Sequence, residues 1–181
     1  MPIQSTRLAI CPGSFDPLTL GHVAIISRAL SLFDRVVIAV SVNIRKQPLF
    51  TLDERAAMIR ASFPGETRIE VEQLTGLLAE WGRTRGAVAI VKGLRAASDF
   101  EYELQMAQMN RHLNPELDTL FLPTEAGNSF VSSSLVKEVA ALGGDVQALV
   151  PPHVHAVLMV RLAERAASAL RAMPEVAESG A

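Results

Sequence analysis

The chain has 181 residues, a length within the range of one domain and sufficient to enclose a full core. Apolar residues make up 49% of it, which excludes disorder for the bulk, and no apolar run approaches the roughly 20 residues that a membrane helix needs. A formal net charge of −2 argues against general nucleic-acid binding, which needs a basic surface, yet leaves room for a small phosphorylated ligand held by a few local cations.

The first residues (Met1-Pro-Ile-Gln-Ser-Thr-Arg7) lack a charged start followed by an apolar stretch, so no signal peptide is expected. Residues 7–11 read as a strand. Its single cysteine, Cys11, cannot form an internal disulfide; this fits a reducing cytoplasm and a small buried strand residue rather than a nucleophile. The loop Cys11-Pro-Gly-Ser14-Phe-Asp16-Pro-Leu-Thr19-Leu-Gly21-His22 follows. Val23, Ile26, Leu30 and Phe33 then recur at helical spacing, predicting a helix over 22–33. A helix start directs free N–H groups and a positive dipole end at whatever lies above it. Gly13 and Gly21 let the backbone approach a bulky anion, and His22 sets a hydrogen-bond donor beside it. A lone Gly-His pair would read as ordinary turn chemistry. The T-x-G-H string behind P-G-S-F-D-P is far more specific.

Residues 35–42 form a second apolar strand, followed by Asn43-Ile-Arg45-Lys46-Gln-Pro48. Taken alone, that loop is a solvated surface; its place after a strand raises Lys46 as a phosphate ligand. Thr51-Leu-Asp-Glu54 is a capping box, and Leu52, Ala56, Ile59 and Phe63 give its helix a buried stripe. A short strand at 68–72, a helix over 75–84 with Leu77, Leu78 and Trp81, and a central strand at 87–91 come next. Lys92-Gly93-Leu94-Arg95 reads as a loop in which two cations flank a glycine, a costly arrangement at the end of a buried strand unless an anion is present. Helix 98–113 opens with Asp99, Glu101 and Glu103, one of which is placed to orient a cation or a ribose hydroxyl. It carries two apolar stripes: Phe100, Leu104 and Ala107, and Tyr102, Met106, Met109 and Leu113. One stripe suffices to bury a surface helix, so the second faces another subunit or lies buried within the monomer. A strand at 118–122 precedes Asn128-Ser-Phe-Val-Ser132-Ser133-Ser134, which opens a helix over 132–142. One serine serves as the N-cap, and the surplus hydroxyls suit a polyphosphate. A last helix spans 152–172.

Apolar strands alternating with amphipathic helices predict a single Rossmann-like α/β domain over 1–170, a parallel sheet of about five strands with helices on both faces, and a flexible tail at 171–181. In such a sheet every strand-to-helix loop lies on one edge, where ligands bind, and all four polar loops fall there.

Together, P-G-S-F-D-P-L-T-L-G-H, K-G-L-R, D-F-E-Y-E-L-Q-M-A-Q-M-N-R-H-L and S-F-V-S-S-S-L-V-K-E-V closely resemble the phosphopantetheine adenylyltransferases of the T/H-x-G-H nucleotidyltransferase superfamily. The similarity runs from about Arg7 to about Leu162. It implies transfer of the adenylyl group of ATP to 4′-phosphopantetheine, giving dephospho-coenzyme A and pyrophosphate. By position it also implies that Ser14 and Phe15 contact ATP and that Ser14 touches the acceptor phosphate. His22 stabilises the transition state and binds ATP. Lys46 and Lys92 hold the acceptor, with Leu78 along its pantetheine arm. Gly93, Leu94, Arg95, Glu103, Asn128, Ser129, Phe130, Val131, Ser132, Ser133 and Ser134 hold ATP. Mg²⁺ is expected on the substrate phosphates, with no protein metal site. The resemblance further implies a cytoplasmic homo-oligomer, a hexamer as in its relatives, with neither a nucleic-acid nor a membrane partner. Two departures stand out: Lys92 replaces an arginine, keeping charge but losing bidentate geometry, and Asn128 stands where some members have tryptophan. Two rivals remain open: a relative using nicotinate mononucleotide or an alcohol phosphate as acceptor, and a non-catalytic nucleotide-binding module.

Overall fold

The computed structural model describes residues 6–41, 47–125, 127 and 129–172, the side chains of 97–99, 170 and 172 apart. Strands and helices alternate: β1 (Leu8–Gly13), α1 (Leu20–Leu32), β2 (Arg35–Val40), α2 (Leu52–Ser62), β3 (Ile69–Gln73), α3 (Leu78–Thr84), β4 (Ala89–Leu94), α4 (Ala97–Leu113), β5 (Asp118–Pro123), α5 (Ser133–Ala141) and α6 (Pro152–Ala172). The five strands form one parallel sheet in the order β3-β2-β1-β4-β5, the Rossmann-like α/β arrangement expected from the alternation.

Successive side chains of a strand point to opposite faces, and the core divides accordingly. Ala9, Cys11, Val36, Ile38 and Val40 pack with α1, α2, α5 and α6 in the larger cluster. Leu8, Ile10, Val37 and Ala39 pack on the other face with Trp81, Ile90 and Leu117. Gly82 of α3 lies against that second face. A Cβ there would stand 2.9 Å from Leu117 Cδ2 and 3.1 Å from Ile10 Cδ1. Gly82→Ala is therefore expected to lower the unfolding free energy by about 1–3 kcal/mol through overpacking, although alanine is the better helix former. Urea denaturation measures this, and an unchanged or higher midpoint would contradict it.

Three local expectations need correction. The third helix starts at Leu78 rather than 75, because Gly76 takes a left-handed φ of 74° that ends the preceding turn outside the helix. Lys92, Gly93 and Leu94 are not a loop: they continue β4, paired with Phe121, Leu122 and Pro123 of β5. The second strand ends at Val40, with Val42 outside the described residues. The tail expected at 171–181 lies outside them from residue 173 onward, while α6 continues to Ala172.

Helix α4 is not buried within the monomer. Phe100 packs edge-to-face on Phe121, with ring centroids 5.8 Å apart, yet Phe100, Tyr102, Leu104, Met106, Met109 and Leu113 are all exposed. Both apolar stripes thus remain uncovered in a single chain.

The feature that positions the site is a divergence of strands. β1 pairs with β2 along its whole length, from Leu8↔Arg35 to Gly13↔Val40, but with β4 only at Ala9↔Ala89 and Ile10↔Ile90. Beyond Ile10 the two strands separate. Here also the chain order reverses, one half of the sheet growing away through β2 and β3 and the other through β4 and β5.

Candidate active site

A cleft of about 480 Å³ opens where β1 and β4 part. Its floor is Cys11–Phe15 and Val91–Gly93; the start of α1 and the start of α5 (Ser132–Ser134) stand on its sides.

Thr19 is the N-cap of α1, with φ −117° and ψ 163°. Its hydroxyl accepts the His22 N–H at 3.3 Å, and in return the Thr19 N–H donates to His22 Nδ1 at 3.0 Å. The box is reciprocal, with histidine in the place usually taken by Glu or Gln. Because Nδ1 accepts, the proton of the neutral ring sits on Nε2, at the far side of the imidazole. Burial first, then the charges of Arg95 and Lys92, hold the His22 pKa down at about 4. The ring is thus a neutral donor at physiological pH. Below it, the Phe15 ring packs edge-on with its centroid 5.1 Å away. Phe15 is buried and adopts a left-handed φ of 48°, rare for a non-glycine residue. A Cβ on Gly13 would stand 2.9 Å from Phe15 Cζ, so this ring position requires glycine there. Phe15 lies in the cleft wall, with its ring packed edge-on against the imidazole.

A direct check is an NMR titration of His22 in the free protein, which should show a midpoint near 4 rather than the ordinary 6.5. The folded pKa is depressed, so the unfolded chain binds the proton more readily. The stabilising contribution of neutral His22 is full above about 6.5 and is lost as pH falls through about 4. A midpoint near 6.5 would mean that the ring is neither buried nor facing the two cations.

Lys92 projects from β4 and pairs with Glu103 of α4 at 3.2 Å, so Glu103 does orient a cation. This pair belongs to two cavities. It lines the main cleft and also a narrower pocket of about 130 Å³ walled by Leu78, Tyr102, Met106, Asn110 and Thr119. Leu78 therefore faces the side pocket rather than the main cleft. Arg95 Nη1 donates to the Val131 carbonyl at 3.2 Å, joining the end of β4 to the approach to α5. Ser132 caps α5 by accepting the Leu135 N–H at 3.1 Å, and the Ser133 hydroxyl donates to the Pro17 carbonyl at 2.8 Å.

The main cleft thus gathers Ser14, Phe15, His22, Lys92, Gly93, Arg95, Glu103, Val131, Ser132, Ser133 and Ser134. Leu94, Ser129 and Phe130 are not in its wall, and Phe130 is 60% exposed. Lys46 and Asn128 lie outside the described residues, as does the Asp99 side chain. Cys11 is buried in the floor, where desolvation pushes its thiol up to about 12, so it is no nucleophile.

Sequence reading passed over three charged residues beneath this site: Asp16, Arg55 and Lys137. Arg55 is 2% exposed and donates to the carbonyls of Ser14 at 2.8 Å, Ser41 at 3.2 Å and Thr51 at 3.2 Å. One signal was present: Arg55 falls between Leu52 and Ile59 at spacings of three and four, on the apolar face of α2.

A cleft at the switch point, flanked by two helix starts and two cations and provided with a neutral histidine donor, suits the phosphates of a nucleotide, as a nucleotidyltransferase requires. Residues 10–139 match the family model described as cytidylyltransferase-like. The fold is shared with a solved protein assigned as a nicotinate-nucleotide adenylyltransferase from Vibrio parahaemolyticus, at TM-score 0.63 and 19% identity over 87% of this chain and 94% of that one. Curated relatives are closer in sequence. The phosphopantetheine adenylyltransferase of Anaeromyxobacter dehalogenans (strain 2CP-C) is 53% identical over 156 residues, 86% of this chain and 95% of its own. That of Heliobacterium modesticaldum is 49% identical over 164 residues, 91% of this chain and 95% of its own. The chain belongs to the phosphopantetheine adenylyltransferase family.

Proposed function

We propose that this protein transfers the adenylyl group of ATP to 4′-phosphopantetheine, releasing pyrophosphate and dephospho-coenzyme A. The observation that carries the reading is His22, a neutral Nε2–H donor at a helix start between two cations, in a chain about half identical to enzymes bearing that name. An oxygen of the acceptor phosphate attacks the α-phosphorus as the bond to the bridging oxygen breaks. The acceptor is already a dianion and needs no base. The work is positioning and charge stabilisation, with no enzyme-bound nucleotide. His22 donates to an α-phosphoryl oxygen, where charge grows only in the transition state. The start of α5 and Arg95 receive the nucleotide. Lys92, at the boundary with the side pocket, meets the acceptor phosphate while Leu78 and its neighbours receive the pantetheine arm.

Among the described residues no group of three or more His, Cys, Asp or Glu side chains converges, and Lys92 already engages the Glu103 carboxylate. Mg²⁺ carried on the phosphate oxygens of the substrates is the arrangement that the resemblance implies. The ion would neutralise charge on the leaving pyrophosphate.

Pyrophosphate release measured with a panel of acceptors tests the reading. Turnover with nicotinate mononucleotide but not with 4′-phosphopantetheine would overturn it. ATP binding without turnover of any acceptor would point to the non-catalytic module. Lys46, assigned to the acceptor phosphate, should act in ground and transition state alike. Lys46→Ala should raise the KM for 4′-phosphopantetheine with kcat little changed; a raised KM for ATP alone would reverse the assignment.

We also infer a homo-oligomer, a hexamer as the resemblance implies, with α4 at the contact. Support comes from its two uncovered apolar stripes. Light scattering that shows a monomer at working concentration would sink this. Residues 1–170 are taken as the catalytic domain, 171–181 as a tail, and the cytoplasm as its place, which the lone buried cysteine fits. Among the described residues no helix is long and apolar enough to cross a membrane.

A further inference from the structure

Asp16 lies in the β1–α1 loop between Ser14 and His22, yet it does not face the cleft and is 6% exposed. Its carboxylate accepts the Leu49 N–H at 3.1 and 3.0 Å and the Phe50 N–H at 2.9 Å, and takes the Lys137 ammonium at 2.5 Å. Lys137 sits on α5 four positions after Ser133, so both point from the same helix face. Ser133 grips the Pro17 carbonyl. Two polar contacts one helical turn apart therefore clamp the start of α5 onto the loop that carries Ser14 and leads into His22.

An apolar contact could hold α5 to the sheet equally well, since burying a carboxylate is costly unless it is fully paired. What a carboxylate with fixed N–H partners adds is direction: the ammonium must meet it in one geometry. Asp16 is thereby the common reference for three chain segments, its own loop, the entrance to α2, and α5. Lys137 is not part of the cleft wall; its ammonium is turned to Asp16.

We propose that Asp16 and Lys137 are positioning residues for the nucleotide: their ion pair sets the start of α5 against the β1–α1 loop, and so controls ATP affinity without touching ATP. This rests on the reading that the cleft binds ATP for adenylyl transfer. Lys137→Met, Asp16→Asn and the double variant test it, each assayed well below its own melting temperature. Asparagine keeps an oxygen for the Leu49 and Phe50 N–H groups, and the double variant, in which neither Asp16 nor Lys137 is left charged without the other, keeps the test open should Lys137→Met fold poorly. Each single variant should raise the calorimetric Kd for ATP about tenfold, part of the on-the-order-of 10²-fold loss in kcat/KM that a misplacement of ~1 Å produces. The KM for 4′-phosphopantetheine should stay within about twofold, and the double variant should bind ATP no more weakly than Asp16→Asn alone, because the two residues act as one unit. An unchanged ATP Kd in the folded single variants overturns the proposal. So does an equal rise for both substrates, or additivity in the double variant, which would put Lys137 on the nucleotide itself. A wild-type chain that binds ATP but does not turn over 4′-phosphopantetheine would defeat the adenylyl-transfer reading alone, and the ATP titrations would still decide this one.

Discussion

His22→Ala is expected to lower kcat by about 10²–10³-fold, with the KM for ATP little changed. The size follows from where the donor acts. An Nε2–H aimed at an α-phosphoryl oxygen gains most when that oxygen becomes more negative, so its loss falls on the transition state. The Thr19 N–H bond to Nδ1 holds the ring in place before substrate arrives, so no reorganisation accompanies the reaction. Since the ring of the free protein stays neutral down to about pH 4, the wild-type kcat/KM profile should show no titration near 6.5 that His22→Ala abolishes. Steady-state kinetics and the pH profile check both statements. A near-wild-type kcat in the variant would leave His22 as a helix-start residue only.

Arg55→Met should destabilise the fold by about 3–5 kcal/mol, because a buried guanidinium that serves three backbone carbonyls is removed. Its guanidinium, which the Asp16 charge favours, satisfies carbonyls of three separate segments: the phosphate loop at Ser14, Ser41 just past β2, and Thr51 at the start of α2. Methionine fills much of the volume but donates nothing. The carbonyls lose their partners, at about 1–3 kcal/mol for each that stays buried and unsatisfied. Urea denaturation gives the number. A loss below about 1 kcal/mol would mean that water replaces the guanidinium.

The layered fold was legible because the strands are continuous apolar runs and the helices have apolar stripes, two periods that chemistry keeps distinct. The Thr51–Glu54 box was legible for the same kind of reason: both partners lie within one turn and have the residue types the motif requires. The Thr19–His22 box has the same spacing but a histidine in the carboxylate position, so the string suggested a phosphate donor without showing what fixes its tautomer. Nothing local connects Asp16 to Lys137, 121 residues away, or Arg55 to the Ser14 carbonyl; pairing at that separation depends on which strands become neighbours. Strand order is not encoded in periodicity at all, and the last three residues of β4 read as a loop because a cation and a glycine break its apolar run. The burial of α4 was undecidable from its pattern, since an uncovered stripe and a core stripe have the same spacing.

The order β3-β2-β1-β4-β5 also has a consequence for the chain as it leaves the ribosome. The first strand made is the one that ends in the middle. β2 follows at once and covers one side of it, but the partner for the other side, Ala89–Ile90, arrives nearly eighty residues later. At roughly 5–20 residues per second, β1 waits about 4–16 s with one edge unpaired. Through that interval the nascent N-terminal half carries an apolar strand edge of the kind that recruits other chains. Slow synthesis or a pause before residue 90 should therefore favour aggregation of this protein more than an equal pause after Pro123, when the sheet is complete.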